Sequence, residues 1–138
     1  MLESNNQCCF GKILKLIEKL QKNSSICENL DNTCSRPFLG TPLNIECFNT
    51  RPITFYNCNN ELFSVDYTVV VNGTTLTGTS SIFRVERVND CCVVVTILIP
   101  NPDTTATNRP YITTNQTVTI NLDCVCAIKC LGDVVVDL

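Results

Sequence analysis

Eleven cysteines in 138 residues, with no histidine at all, constrain this chain more than any other feature. At about 8% cysteine, it approaches the level of a disulfide scaffold. Such scaffolds belong to oxidising surroundings, because cytosolic thiols are kept reduced. The first residues, MLESNNQCCFGKILKLIEKL, do not read as an export signal, since Lys12, Lys15, Glu18 and Lys19 break every apolar run. The chain therefore reads as made in a reducing compartment and built for an oxidising one. Eleven is also odd. Full oxidation within one molecule leaves at least one sulfur over, which points to intermolecular pairing or a free thiol.

The length fits one domain with an arm. Residues 1–50 read as a tail, a short helix (about 12–22) and a cysteine-containing connector, and residues 51–138 as a β-sandwich domain. A net charge of −3 with scattered basic residues argues against nucleic acid as a partner. No apolar run is long enough to span a bilayer, so no membrane partner is expected.

Along the chain, residues 1–11 read as a flexible tail carrying Cys8 and Cys9. Ile13, Leu16, Ile17 and Leu20 recur at helical spacing over 12–22, with the lysines and Glu18 opposite. Two uses of that face are open: covering its own domain, or docking on a neighbouring subunit. Residues 23–50 hold Cys27, Cys34 and Cys47 in a loop-rich connector. Strands follow. PITFY (52–56) is short. In 62–71, Phe63, Val65, Tyr67, Val69 and Val71 share one face. Asn72–Gly73 then predicts a two-residue type I′ hairpin turn that pairs Val71 with Thr74 and Val69 with Leu76. SIFRVERV (81–88) sets Phe83 and Val85 against Arg84 and Glu86. CCVVVTILI (91–99) is apolar on both faces and reads as a central strand. Residues 100–116 read as a Pro/Asn/Thr loop. TVTINLDCVCAI (117–128) alternates, placing Leu122, Cys124, Cys126 and Ile128 on one face. VVVDL (134–138) is a last β-prone segment. The pattern predicts a mainly β fold: a single β-sandwich, jelly-roll-like, with an N-terminal amphipathic helical arm.

Enzyme chemistry begins with a deficit. Without histidine there is no Ser-His or Cys-His pair, and no nucleophile-elbow, phosphate-loop or dinucleotide motif occurs. Lys129 and Cys130 are adjacent in a strand, which points their side chains apart. No catalytic residue and no cofactor are expected. For metal, the Cys124, Cys126 and Cys130 group resembles part of a thiolate site, but the remaining spacings do not complete paired knuckles. No metal ligand is assigned, and a cysteine-rich zinc-binding module stays as the alternative. The cysteines sort into two sets. Cys8 and Cys9 on the tail, with Cys27, Cys34 and Cys58, are the candidates for intermolecular disulfides. Cys91, Cys92, Cys124, Cys126 and Cys130 are expected in the core or in intrachain bonds. Adjacent in a strand, Cys91 and Cys92 face opposite sides and hardly bond each other.

The stretches SIFRVERVNDCCVVVTIL and INLDCVCAIKCLGD resemble the CotY/CotZ/ExsY family of spore coat and exosporium proteins. IEKLQ, RPFLG and NTRPITFY agree, so the resemblance spans roughly residues 12–133. Its most specific part is D-C-x-C-A-I-x-C at Asp123, Cys124, Cys126, Ala127, Ile128 and Cys130, and I-F-R-V-E at 82–86 comes second. The resemblance implies a structural protein of the spore surface (coat, crust or exosporium), synthesised in the mother cell cytoplasm without a signal peptide. It implies self-assembly into an ordered, disulfide-cross-linked, hexagonal lattice whose partners are other copies and other coat or exosporium proteins. Cys58, and the pair Cys91–Cys92 in place of a single cysteine, depart from the family pattern and leave a fibre or tube as another form of assembly.

Overall fold

The computed structural model describes residues 9–23, 48–106 and 108–138. Within them, one helix, α1 (Cys9–Asn23), precedes seven strands: β1 (Ile53–Tyr56), β2 (Val65–Val71), β3 (Thr74–Ser80), β4 (Ile82–Asn89), β5 (Cys92–Pro100), β6 (Tyr111–Asn121) and β7 (Ala127–Cys130). The fold is mainly β, with the helix at its N-terminal side, as the alternation predicts. Five strands form one antiparallel sheet in the order β6-β5-β4-β1-β7, and β2 and β3 form a separate hairpin. The layer facing the large sheet is thus a hairpin and a helix, where a jelly roll would set a second full sheet.

The hairpin has the predicted register, with Val71 opposite Thr74 and Val69 opposite Leu76. Asn72 and Gly73 carry the positive φ values, 52° and 80°, that a type I′ turn demands. β5 is the doubly covered strand that its composition announces. It lies between β4 and β6, and Val93, Val95, Ile97, Leu98 and Ile99 are all buried. In β4, Phe83 and Val85 enter the core, where the Phe83 ring packs on Phe55 and Phe63 with centroids 5.7 Å apart in both cases. Arg84 points to the opposite face and is also buried. There its Nε donates to Thr50 Oγ1 (2.9 Å), and its terminal nitrogens donate to Glu86 Oε2 (2.9 Å) and to the Asn49 carbonyl (3.2 Å). Desolvated charge needs such partners. The I-F-R-V-E block is therefore architectural: its apolar half builds the core, and its charged half fastens residues 49 and 50. Those residues in turn hold the C-terminus. Thr50 bridges Val134, the Asn49 side chain bonds the backbone of Val136, and Val136 is buried. The VVVDL segment is thus engaged within its own chain.

Three expectations are corrected. First, α1 starts at Cys9, so residues 9–11 are helical and not part of a tail. Its buried side is Leu14, Ile17 and Gln21, with Phe10 packed on the core, while Ile13, Leu16 and Leu20 stay exposed at 43%, 55% and 46%. Apolar side chains occupy nearly half of the circumference of this helix, and the sheet takes only one edge of that arc. Second, 111–116 are strand. β6 begins at Tyr111 opposite Pro100, and the loop-like TTNQT sequence is an irregularity between Thr96 and Leu98 in the β5–β6 pairing. Asn115 sits there at φ 59°, and Thr114 Oγ1 donates to the Ile97 carbonyl. This is the bulge chemistry that polar, turn-forming residues suit. Third, 117–128 is not one strand. β6 stops at Asn121, a 3₁₀ turn occupies Leu122–Cys124, and β7 starts at Ala127. Asn121 caps the turn by accepting the Asp123 N–H on its side-chain oxygen (3.0 Å).

That turn closes the fold. Leu122 N donates to the Cys91 carbonyl, at the β4–β5 end, and Cys126 N donates to the Tyr56 carbonyl, where β1 meets β7 (both 2.8 Å). These are diagonally opposite corners of the sheet. Four residue steps reach at most about 14 Å, so the sheet must coil until the corners approach. The right-handed twist of strands supplies that coiling. Leu122 and Val125, three residues apart, plug the core between the corners, while Asp123, Cys124 and Cys126 face outward.

Gln21 makes a second join. β1 pairs with β4 at Ile53↔Phe83, and one rung further on, between Arg51 and Val85, the buried side-chain amide of Gln21 lies between the strands. Its oxygen accepts the Arg51 N–H (3.0 Å), and its nitrogen donates to the Val85 carbonyl (2.8 Å). Replacement by leucine, similar in shape, leaves both backbone groups without these partners. Gln21→Leu is expected to lower the stability of the reduced protein by about 2 kcal/mol, read as a lower urea midpoint at unchanged m-value.

Candidate functional site

The chemistry available to this chain is that of sulfur, and the fold decides which sulfurs meet solvent. Cys58 lies in the loop that follows β1. Asn57 shapes that loop: its side-chain oxygen accepts the N–H groups of Asn59 (2.8 Å) and Glu61 (3.0 Å). Asn60 adopts a φ of 64°, a region that asparagine tolerates better than most residues. The loop presents Cys58 outward next to Cys126, which the Tyr56 carbonyl holds in place through the Cys126 N–H. The two form a disulfide with Cα atoms 4.9 Å apart, a usual span for such a bond. Both residues are exposed.

At the other converging corner, Asp90 turns the chain between β4 and β5 at φ 55°. Cys91 follows, half-buried against the core and disulfide-bonded. Cys92 starts β5 and is an exposed free thiol. Cys124 ends the 3₁₀ turn between the two corners and is likewise exposed and free. Cys130, also free and exposed, ends the edge strand β7 opposite Ile53.

The sorting made from the sequence is therefore corrected at four positions. Cys58, placed among the intermolecular candidates, is bonded within its own chain, because the crossing brings Cys126 to it across a separation of 68 residues. Cys92, Cys124 and Cys130, placed in the core or in intrachain bonds, are solvent-facing thiols. For Cys124 the reason is the change of period. A continuous strand buries every second residue, whereas the 3₁₀ turn buries Leu122 and Val125 and turns Cys124 and Cys126 outward. Cys126 and Cys91 are in disulfides. Cys9 opens α1, its side chain lying outside the described residues, and Cys8, Cys27 and Cys34 lie outside them altogether. The residues that position the sulfurs, Asn57 and Asn121, were not singled out from the sequence. Asn-Leu-Asp at 121–123 and the Asn-rich run at 57–60 are Asx-turn signals that mark such sites.

Next to Cys130, Arg51 Nε and its terminal nitrogen donate to the two Asp133 oxygens (2.7 and 3.0 Å). The bidentate guanidinium holds the Asp133 carboxyl below the ordinary carboxylate range, with burial opposing, and its own pKa is raised by the same bonds. Among the described residues, no three Cys, Asp or Glu side chains come together as a metal site, and no helix is long and apolar enough to cross a membrane.

A family model described as Spore coat protein Z matches residues 2–111. The match contains the I-F-R-V-E block and both Cys91 and Cys92, and it ends before the D-C-x-C-A-I-x-C motif. No curated protein and no solved structure gives a significant match.

Two outcomes are expected here. Iodoacetamide applied to native protein labels Cys92, Cys124 and Cys130 and spares Cys58, Cys91 and Cys126 until a reductant is added, as peptide mass mapping reads directly. The Arg51–Asp133 pair contributes stability above the ordinary carboxylate pKa near 4, and that contribution disappears as pH falls through the lower folded-state value. Both side chains are more than a third exposed, so screening keeps it within about 1 kcal/mol. The stability gap between wild type and Asp133→Asn should hold from pH 7 to pH 5 and close below about pH 4.

Proposed function

The chain belongs to the spore coat protein Z family, and from that premise we propose that it is a self-assembling building block whose copies become linked by disulfides into an ordered layer. Family membership carries a structural role at the spore surface. The observation that supports the finer reading is the sulfur arrangement: three free thiols on the surface and an exposed disulfide, on a scaffold with no histidine to serve a catalytic pair. A protein using its cysteines only for its own stability buries them in bonds or in the core. Here the described free thiols all face outward.

Association precedes covalent linkage in this reading. Two features favour it. The edges of the five-stranded sheet, β6 and β7, carry backbone groups open to strand addition. The outer face of α1 sets Ile13, Leu16 and Leu20 in solvent among Lys12, Lys15 and Lys19, an apolar stripe that a neighbour can cover. Cys130 on β7 lies at such an edge, so that two chains joined there carry a thiol near the seam. Contacts of this kind, repeated head to tail without closing into a ring, generate extended arrays.

Electron microscopy of the purified, air-oxidised protein is expected to show large regular assemblies. They should fall to monomers only when heat, denaturant and reductant act together. Oxidised protein that stays monodisperse at the monomer mass refutes the proposal.

A further inference from the structure

The coil of the sheet gathers one exposed disulfide and two exposed thiols into a single region. Leu122 N bonds the Cys91 carbonyl and Cys126 N bonds the Tyr56 carbonyl, so Cys92, Cys124 and the Cys58–Cys126 bond all belong to the two corners that the 122–126 segment joins. Cys124 is two residues from Cys126. All four residues are solvent-exposed. Thiol–disulfide exchange requires an accessible thiol that can give up its proton and an accessible disulfide sulfur, and it needs no external oxidant. A surface of this composition holds both reactants of that reaction, so when two copies meet through it a thiol of either one can face the disulfide of the other.

We propose that this region is a disulfide-exchange site, at which a thiol of one copy, Cys92 or Cys124, attacks the Cys58–Cys126 bond of another. The inference rests on the reading that copies become covalently linked, and it names the route. In the step, the attacking thiol gives up its proton and its sulfur bonds to Cys126 of the second copy. The Cys58–Cys126 bond breaks, its electron pair leaves on the Cys58 sulfur, and that sulfur takes up a proton. One disulfide and one thiol enter, and one intermolecular disulfide and one thiol leave. No oxidant is consumed. The Cys58 thiol set free is itself on the surface and available for a further exchange, so linkage can propagate through an array without loss of thiols. Direct oxidative coupling of two thiols differs in its stoichiometry, because it removes two thiols and needs an electron acceptor for each bond formed.

The distinction is measurable on the full-length protein. Protein carrying the intrachain bond is held at neutral pH in oxygen-free, metal-chelated buffer. Covalent oligomers are followed on non-reducing gels, and total thiol is titrated under denaturant. Exchange predicts that oligomers accumulate without oxygen while the number of thiols per chain stays constant. The C92S/C124S variant, which leaves the disulfide in place, should form them roughly tenfold more slowly or worse. C58S/C126S should behave likewise, and an unchanged circular dichroism spectrum shows whether it keeps the fold. The exchange site is overturned if linkage needs oxygen and consumes two thiols per bond, a result that leaves covalent assembly standing. It is also overturned if C92S/C124S links at the wild-type rate. Wild-type protein that forms no covalent oligomers with or without oxygen overturns both this inference and the cross-linked layer itself.

Discussion

The fold depends on one short crossing. Between Asn121 and Ala127 the chain passes from one edge strand of the sheet to the other, and its two backbone anchors, to Cys91 and Tyr56, draw diagonal corners together. A flat sheet cannot satisfy both anchors with four residue steps between them. The coil that results wraps Ile53, Phe55, Phe83, Val85, Val93, Val95 and Ile120 around a common interior, with Leu122 and Val125 as its stopper and Leu14 and Ile17 of the helix as its lid. The Cys58–Cys126 bond is placed where this crossing meets the sheet. Covalent and non-covalent closure therefore act at the same point.

The same crossing ties architecture to chemistry. A segment that buries two residues in every five leaves three outward. Those three are Asp123, Cys124 and Cys126. Cys124 and Cys126 are thereby carried on a segment anchored near both ends by hydrogen bonds of the main chain, to Cys91 and to Tyr56. Elsewhere polar side chains take the place of ladder bonds. Gln21 supplies the rung that β1 and β4 lack at Arg51 and Val85, and the Arg84–Glu86–Thr96 group binds the outer face to residues 49 and 50. Each of these groups is satisfied by several partners, which is what burial of polar atoms demands.

Much of the fold was legible in the residues because its causes are local. Asn72–Gly73 dictates a turn whatever surrounds it, and the register of β2 and β3 follows. The doubly apolar CCVVVTILI run announces a strand with neighbours on both sides and cover on both faces. Legibility failed where an outside partner made the choice. The helix has an apolar arc of nearly half its circumference, wider than the strip the sheet covers, and only the sheet determines that Leu14 and Ile17 are buried while Ile13, Leu16 and Leu20 are not. The 111–116 segment looked like a loop because a bulge wants the same asparagine and threonine that loops want. The alternation of 117–128 suggested a single strand, and the Asx signal at Asn121 that interrupts it was weaker than the pattern it breaks.

From its residues alone, then, this chain declares a cysteine-rich, histidine-free, mainly β protein with an amphipathic helix, a type I′ hairpin and an odd number of cysteines. Those properties reside in composition and in spacings of a few residues, and no partner segment alters them. The state of each sulfur was decided by tertiary structure. Cys58 finds Cys126 across 68 residues, while Cys92, Cys124 and Cys130 are left facing solvent. Pairing depends on the distance between remote Cα atoms, exposure depends on what packs above a side chain, and both are set only when the sheet has coiled.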